Sequence, residues 1–287
     1  MSAPRLRAVS GVGHHGHMDK MHATSDDGTT ITAVGEGIGP ALLIVHPGGQ
    51  DERSWNVVAS SLAEEFQVVR IRRRIYAADG AAAWDGHTVE VEAADVLAVA
   101  ALLKKPVYLI GHSSGAVAAL EAALRDPSAF SGVLVYEPPM PTRELVGGEA
   151  YVRARAALDA GDAVETMRIH LRDIVQMPAQ VVEGIIRASG SDPNSQVDFV
   201  RLMAAQLADT HALDGLGLGV DRYRALDLPV VLLVGDSSPA HLLERTEDLA
   251  AVLPDARVVT LQGQGHIAHL MAPKMLSDEI RAAAVGQ

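Results

Sequence analysis

Six short apolar runs alternate with stretches of helical periodicity along this chain, and that alternation limits the fold more than any other feature. The runs are ALLIVH (41–46), QVVRIR (67–72), PVYLI (106–110), SGVLVYE (131–137), PVVLLVG (229–235) and ARVVTL (256–261). Runs apolar on both faces suit strands buried on both sides. An earlier stretch, TTITAVGEG (29–37), reads as an edge strand. Helical spacing of apolar residues marks 51–66, 87–105, 114–126, 241–253 and 273–284, with Thr88 as the expected N-cap of the second. Strands that alternate with helices predict an α/β fold, a mainly parallel sheet with helices on both faces. From about 143 to 225 the alternation stops and only helical patterns remain. The expected organisation is therefore a flexible tail over 1–23, an α/β core over 24–137 and 226–287, and a helical cap over 138–225. Ligands of parallel sheets bind beyond the carboxyl ends of the strands, so chemistry is expected there.

One strand end stands out. PVYLI runs into Gly111-His112-Ser113-Ser114-Gly115 and then at once into a helical pattern. A serine on a sharp strand-to-helix corner needs strained backbone angles. Bulk two residues to either side would collide, so glycine is required at both places. The corner presents the Ser113 hydroxyl, and the following helix aims its positive end at the same spot. The plain alternative is a helix start capped by Ser114.

Serine needs a base before it attacks. Among 12 histidines, His266 follows the last strand within the glycine-rich LQGQGHIAHLM. His269 is read as structural or exposed, and His112 as packing locally within the corner. The imidazole needs a carboxylate. Asp236 ends the strand PVVLLVG and is the expected partner; Glu137, at the end of SGVLVYE, is the rival. The oxyanion requires preorganised N–H donors. Ser114 is expected to supply one, and the loop His46-Pro47-Gly48-Gly49 the other, through Gly48, since Pro47 has no N–H.

The 287 residues are 48% apolar, enough for a sizeable core, and carry a formal net charge of −12. Such a surface repels a phosphate backbone, so nucleic acid is not an expected partner. Without cysteine there are no disulfides or thiolate metal sites, which agrees with a cytoplasmic location. No membrane span is expected, because no apolar run reaches the required length of about 18 residues. His14, His15 and His17 could ligate a metal, but the segment reads more simply as a tail.

Taken together, GHSSG (111–115), VYEPP (135–139), GDSSP (235–239) and GQGH (263–266), with Trp55 after the glycine loop, resemble the α/β-hydrolase superfamily. More narrowly they resemble a group of bacterial, often actinobacterial, members. That resemblance implies a triad of Ser113, Asp236 and His266, with no cofactor. Two departures are visible. The family's His-Gly in the oxyanion loop is His46-Pro47 here, and its Asp-Arg-x-Gly turn is replaced by Arg72, Arg73 and Arg74. The three arginines read as a solvated loop with salt bridges, or as a site for an anionic substrate tail. The expected activity is hydrolysis of a small ester, thioester or lactone. A lyase, cofactor-free haloperoxidase-like chemistry and a non-catalytic ligand receptor are the alternatives. Leu171, Met177, Leu202 and Met203 are candidates for an apolar cap pocket or for simple helix packing.

Overall fold

The structure is a computed structural model and describes residues 18–77, 86–189 and 195–286. His14, His15 and His17 lie outside the described residues. Among the described residues eight strands form one sheet, in the order β1-β2-β4-β3-β5-β6-β7-β8. They are β1 (Asp19–Thr24), β2 (Thr30–Glu36), β3 (Ala41–Val45), β4 (Gln67–Ile71), β5 (Val107–His112), β6 (Phe130–Tyr136), β7 (Val230–Gly235) and β8 (Ala256–Leu261). β1 and β2 pair antiparallel and β2 meets β4 antiparallel, while every pair from β4 through β8 is parallel.

β3, β5 and β7 are buried at every residue, as runs apolar on both faces require. One core lies under helices α2 (Val89–Ala100) and α3 (Ser114–Arg125), with Val96, Leu120 and Val133 among its members. The other lies under α1 (Asn56–Leu62) and the closing helix, α10 by chain order (Pro273–Val285), with Leu62, Ile110 and Ile280. Thr88 caps α2 by accepting the Val91 N–H at 3.3 Å.

β1 was not expected. All of it but Thr24 falls in the segment read as tail, because DKMHAT buries only Ala23 and lacks the apolar alternation of a covered strand. Its pairing rests on the ladder to β2, from Asp19 opposite Gly35 to Thr24 opposite Thr30.

Between β6 and β7 runs a helical insertion: α4 (Gly148–Asp159), α5 (Ala163–Ile169), a π turn over His170–Ile174, α6 (Ala179–Ser189) and α7 (Ser195–Gly215). Asp214 of α7 accepts the Val146 and Gly148 N–H groups at 2.6 and 3.0 Å, which neutralises the free donors at the start of α4. Met167 and Met203 pack together with Leu171 and Leu202 against them, so these side chains hold the insertion together. After β7 come α8 (Ala240–Ala250) and α9 (Ala268–Met271). Among the described residues no helix is long and apolar enough to cross a membrane.

Candidate active site

At the end of β5 the backbone of Ser113 sits at φ 54 and ψ −129, in a region that ordinary L-residues avoid. Two glycines make the corner possible. A Cβ on Gly111 would lie 2.5 Å from the Ala116 Cα, and one on Gly115 would lie 2.3 Å from the His46 carbonyl oxygen. Both clashes are with backbone, which has no room to yield. The corner is tied to β6 by the Ser113 N–H, which donates to the Tyr136 carbonyl at 2.9 Å.

The Ser113 hydroxyl donates to His266 Nε2 at 3.0 Å. His266 Nδ1–H in turn donates to Glu137 Oε2 at 2.6 Å. Glu137 is fully buried and its own φ is 48, a turn that swings its side chain across the strand ends. The other carboxylate oxygen accepts the Gly235 N–H at 2.7 Å and the Ser238 hydroxyl at 2.5 Å. Every polar contact of a buried carboxylate is thus met.

The structure therefore corrects the expected partner of His266. Asp236 is exposed, and its hydrogen bonds go to other groups. Its Oδ1 accepts the Gly263 N–H at 2.8 Å and the Ser237 hydroxyl at 3.1 Å. Asp236 thus braces the turn that carries His266, while its neighbour Gly235 grips Glu137.

The same turn is held from β6 and β5. Tyr136 donates its hydroxyl to the Gly265 carbonyl, and the Ala268 N–H donates to Tyr136 Oη at 3.2 Å. His112 stacks on Tyr136 with ring centroids 4.5 Å apart. Its Nε2–H donates to the His266 carbonyl at 2.9 Å, so His112 reaches well beyond the corner. His269 is buried, stacks on Trp55 and donates to Gln50 Oε1 at 2.9 Å.

Ser114 begins α3, where the first N–H groups have no partner within the helix. Ser114 and Gly48 line one pocket with Ser113 and His266. The pocket holds about 480 Å³ of atom-free space, its mouth included, a size suited to a small molecule. Pro139, Val146, Ile174, Val175, Leu213 and Leu242 supply its apolar wall. None of the four methionines and leucines singled out in the sequence contributes. The wall comes from several segments of the insertion and from Leu242 of the helix after β7, where the sequence shows only generic apolar residues.

A family model for the alpha/beta hydrolase family matches residues 42–279. The chain belongs to the alpha/beta hydrolase family. An alpha/beta hydrolase of Sphaerobacter thermophilus superposes with a TM-score of 0.76 at 25% identity, covering 91% of this chain and 98% of that one. The 2-(acetamidomethylene)succinate hydrolase of Mesorhizobium japonicum is 24% identical over 253 residues, 86% of this chain and 88% of that protein. An uncharacterized hydrolase of Bacillus subtilis is 36% identical over 104 residues, which span only 36% of this chain and 38% of that protein.

In this alpha/beta hydrolase the three arginines after β4 do not form a solvated cluster. Arg73 is buried and offers its donors inward. It reaches Glu92 at 2.5 Å, Asp209 at 2.8 Å and the Ser114 hydroxyl at 2.8 Å. Arg74 pairs with Asp95 and with Asp27, and only Arg72 keeps a partly exposed side chain. His87, Glu92 and Asp209 bring ligand-type atoms within 4.8 Å of one another. The Arg73 guanidinium already bonds both carboxylates, so the cluster is charge-matched to a cation of the chain itself and does not suit a divalent metal.

Three buried histidines predict acid sensitivity. Burial, with Arg73 nearby, pushes the His46 imidazole down to about 3. Its Nε2 lone pair accepts the Arg73 N–H at 3.3 Å and is lost on protonation. Burial likewise lowers His170 and His269 to about 4 each. Above the ordinary value of 6.5, folded and unfolded chains both carry these rings neutral. Below it, the unfolded chain takes up protons that the folded chain refuses, so stability falls with pH until the folded values are reached. Each ring costs about 1.4 kcal/mol per pH unit over that window. The melting temperature at about pH 5 is expected well below that at about pH 7.5 by calorimetry. Equal values at the two pH values would contradict the buried neutral rings.

Proposed function

We propose that this chain is a serine hydrolase that cleaves a small carboxylic ester through an acyl-enzyme. One observation carries the reading: His266 bridges the Ser113 hydroxyl at 3.0 Å and the Glu137 carboxylate at 2.6 Å, at a strained corner inside a pocket. Glu137 keeps the imidazole in the tautomer whose Nε2 is free to accept a proton. Ser113 Oγ attacks the acyl carbon while its proton passes to His266 Nε2. The negative charge moves to the carbonyl oxygen, where the N–H groups of Ser114 and Gly48 receive it. One such donor is worth about 2.7–4 kcal/mol of barrier. His266 then returns the proton to the departing alkoxide, and the acyl group remains on Ser113. Water, deprotonated by His266, attacks that ester, and the acid leaves as Ser113 regains its proton.

The apolar wall of Val146, Ile174, Val175, Leu213 and Leu242 favours a substrate with an uncharged hydrocarbon part. A fluorophosphonate probe tests the nucleophile. Stoichiometric labelling of the peptide that holds Ser113, together with turnover of at least one p-nitrophenyl ester of graded chain length, is expected. Labelling without any ester turnover would point to another reaction at the same serine, and no labelling would remove the nucleophile.

The oxyanion loop makes its own prediction. A Cβ on Gly48 would lie 2.9 Å from Tyr76 Oη, 3.0 Å from Asp209 Oδ2 and 3.1 Å from Gln206 Oε1. These are side-chain ends that can shift slightly, so Gly48→Ala is expected to fold. The loop and those side chains must adjust to each other, and kcat/KM should drop by about ten-fold or more, the scale of one weakened donor. A Gly48→Ala enzyme with unchanged ester kinetics would take Gly48 out of the oxyanion site.

A further inference from the structure

Asp209 lies on α7 of the helical insertion, yet its carboxylate is buried against the core. Oδ2 accepts the Ser114 hydroxyl at 2.7 Å and the Tyr76 hydroxyl at 2.7 Å. Oδ1 accepts Arg73 Nη2–H at 2.8 Å. Burial alone would raise this carboxyl, but the Arg73 guanidinium overrides it and holds Asp209 ionised well below the usual carboxylate range. Arg73 is itself anchored to the core through Glu92 on α2, with contacts of 3.0, 2.9 and 2.5 Å. Its Nη1–H donates to Ser114 Oγ at 2.8 Å, so the Ser114 hydroxyl is gripped from both sides.

Ser114 is also one of the two residues whose N–H is assigned to the oxyanion. The other, Gly48, lies under the same carboxylate, with Asp209 Oδ2 at 3.0 Å from its absent Cβ position. One carboxylate from the insertion thus bears on both halves of that site. We propose that Asp209 is a positioning residue for the oxyanion site: it fixes the two donor segments only while the helical insertion is docked on Arg73. The insertion then acts as more than a pocket wall, because undocking it would release Ser114 and open the face of Gly48 together. This rests on the serine-hydrolase reading above.

The test compares wild type, Ser114→Ala, Asp209→Ala and the double variant, using p-nitrophenyl butyrate turnover and the rate of fluorophosphonate labelling. Ser114→Ala keeps the backbone N–H and leaves the Arg73–Asp209 ion pair intact. A merely structural Asp209 therefore predicts wild-type kcat for it. The positioning role predicts a kcat about ten-fold lower, the scale of one hydrogen bond, with KM changed by less than about three-fold. Asp209→Ala should lose more, and the double variant clearly less than the product of the two single losses, because both act largely through the Asp209–Ser114 contact while Arg73 keeps its own hold on the Ser114 hydroxyl. A Ser114→Ala kcat within two-fold of wild type would overturn the proposal, as would losses that simply multiply. If Asp209→Ala does not fold, Ser114→Ala decides alone. A wild type that neither turns over esters nor labels fails at the serine-hydrolase reading instead, and the proposal falls with it.

Discussion

Glu137→Gln is expected to lower kcat by about 10⁴-fold with little change in KM, the loss seen when a triad carboxylate becomes an amide. The contacts around residue 137 say why the loss should be so large. Gly235 N–H and Ser238 Oγ–H both donate to Oε1, so an amide there must turn its oxygen to them. Its nitrogen is then forced into the place of Oε2, facing His266 Nδ1 at 2.6 Å. A donor at that place favours the tautomer with the proton on Nε2. That ring cannot accept the Ser113 proton, and nothing steadies the imidazolium. Asp236→Asn supplies the contrast. The side chain is exposed, and its amide oxygen can still accept the Gly263 N–H. Its kcat is expected within about three-fold of wild type, the loss of at most a fraction of one hydrogen bond. Steady-state kinetics on one ester settles the pair. A crippled Asp236→Asn beside an active Glu137→Gln would return the acid to β7.

Ser113→Ala should remove nearly all turnover, about 10⁴- to 10⁶-fold, and so should His266→Ala. The double variant should be no worse than either single one. Without the base the hydroxyl is a poor nucleophile, and without the hydroxyl the base has nothing to activate, so the two act as a unit. Ser113→Ala should not unfold the chain. The Ser113 side chain is only partly buried, and alanine can occupy the same strained corner at a cost similar to serine's. A melting temperature within a few degrees of wild type and abolished fluorophosphonate labelling are the expected companion results for Ser113→Ala. Losses that multiply in the double variant would mean that serine and histidine serve separate reactions.

Most of the sheet was legible because β3, β5 and β7 are buried on both faces and so read as continuous apolar runs. β1 was not legible, since an edge strand that buries a single alanine leaves no pattern of that kind. The corner at Ser113 could be read from five letters because part of its cause is local: Gly111 is set by a clash with the Ala116 backbone five residues on, while Gly115 is set by the His46 carbonyl beside it in space. His266 was legible from its place after the last strand. The carboxylate was not. β6 and β7 are adjacent and parallel, with Tyr136 opposite Leu233, so Glu137 and Asp236 both follow directly on neighbouring strands, two register positions apart at the same carboxyl end of the sheet. Strand position cannot choose between neighbours that close. The turn at Glu137, with φ 48, and the donors of Gly235 and Ser238 make the choice. Arg73 was misread for a related reason. A charged residue in a loop suggests solvent, and its partners Glu92, Ser114 and Asp209 lie 19, 41 and 136 residues away.

Periodicity acts within a few residues, and so does the clash that requires Gly111; through them the sequence by itself determined the α/β architecture and the strained corner at Ser113, while Gly115 answers to the His46 carbonyl of a neighbouring strand end. Side-chain direction at the strand ends was decided only by the tertiary structure. Which carboxylate meets His266, and which arginine turns inward to hold the helical insertion, depends on hydrogen-bond donors and charges brought together from distant parts of the chain. A buried carboxylate or guanidinium is stable only where those partners already wait.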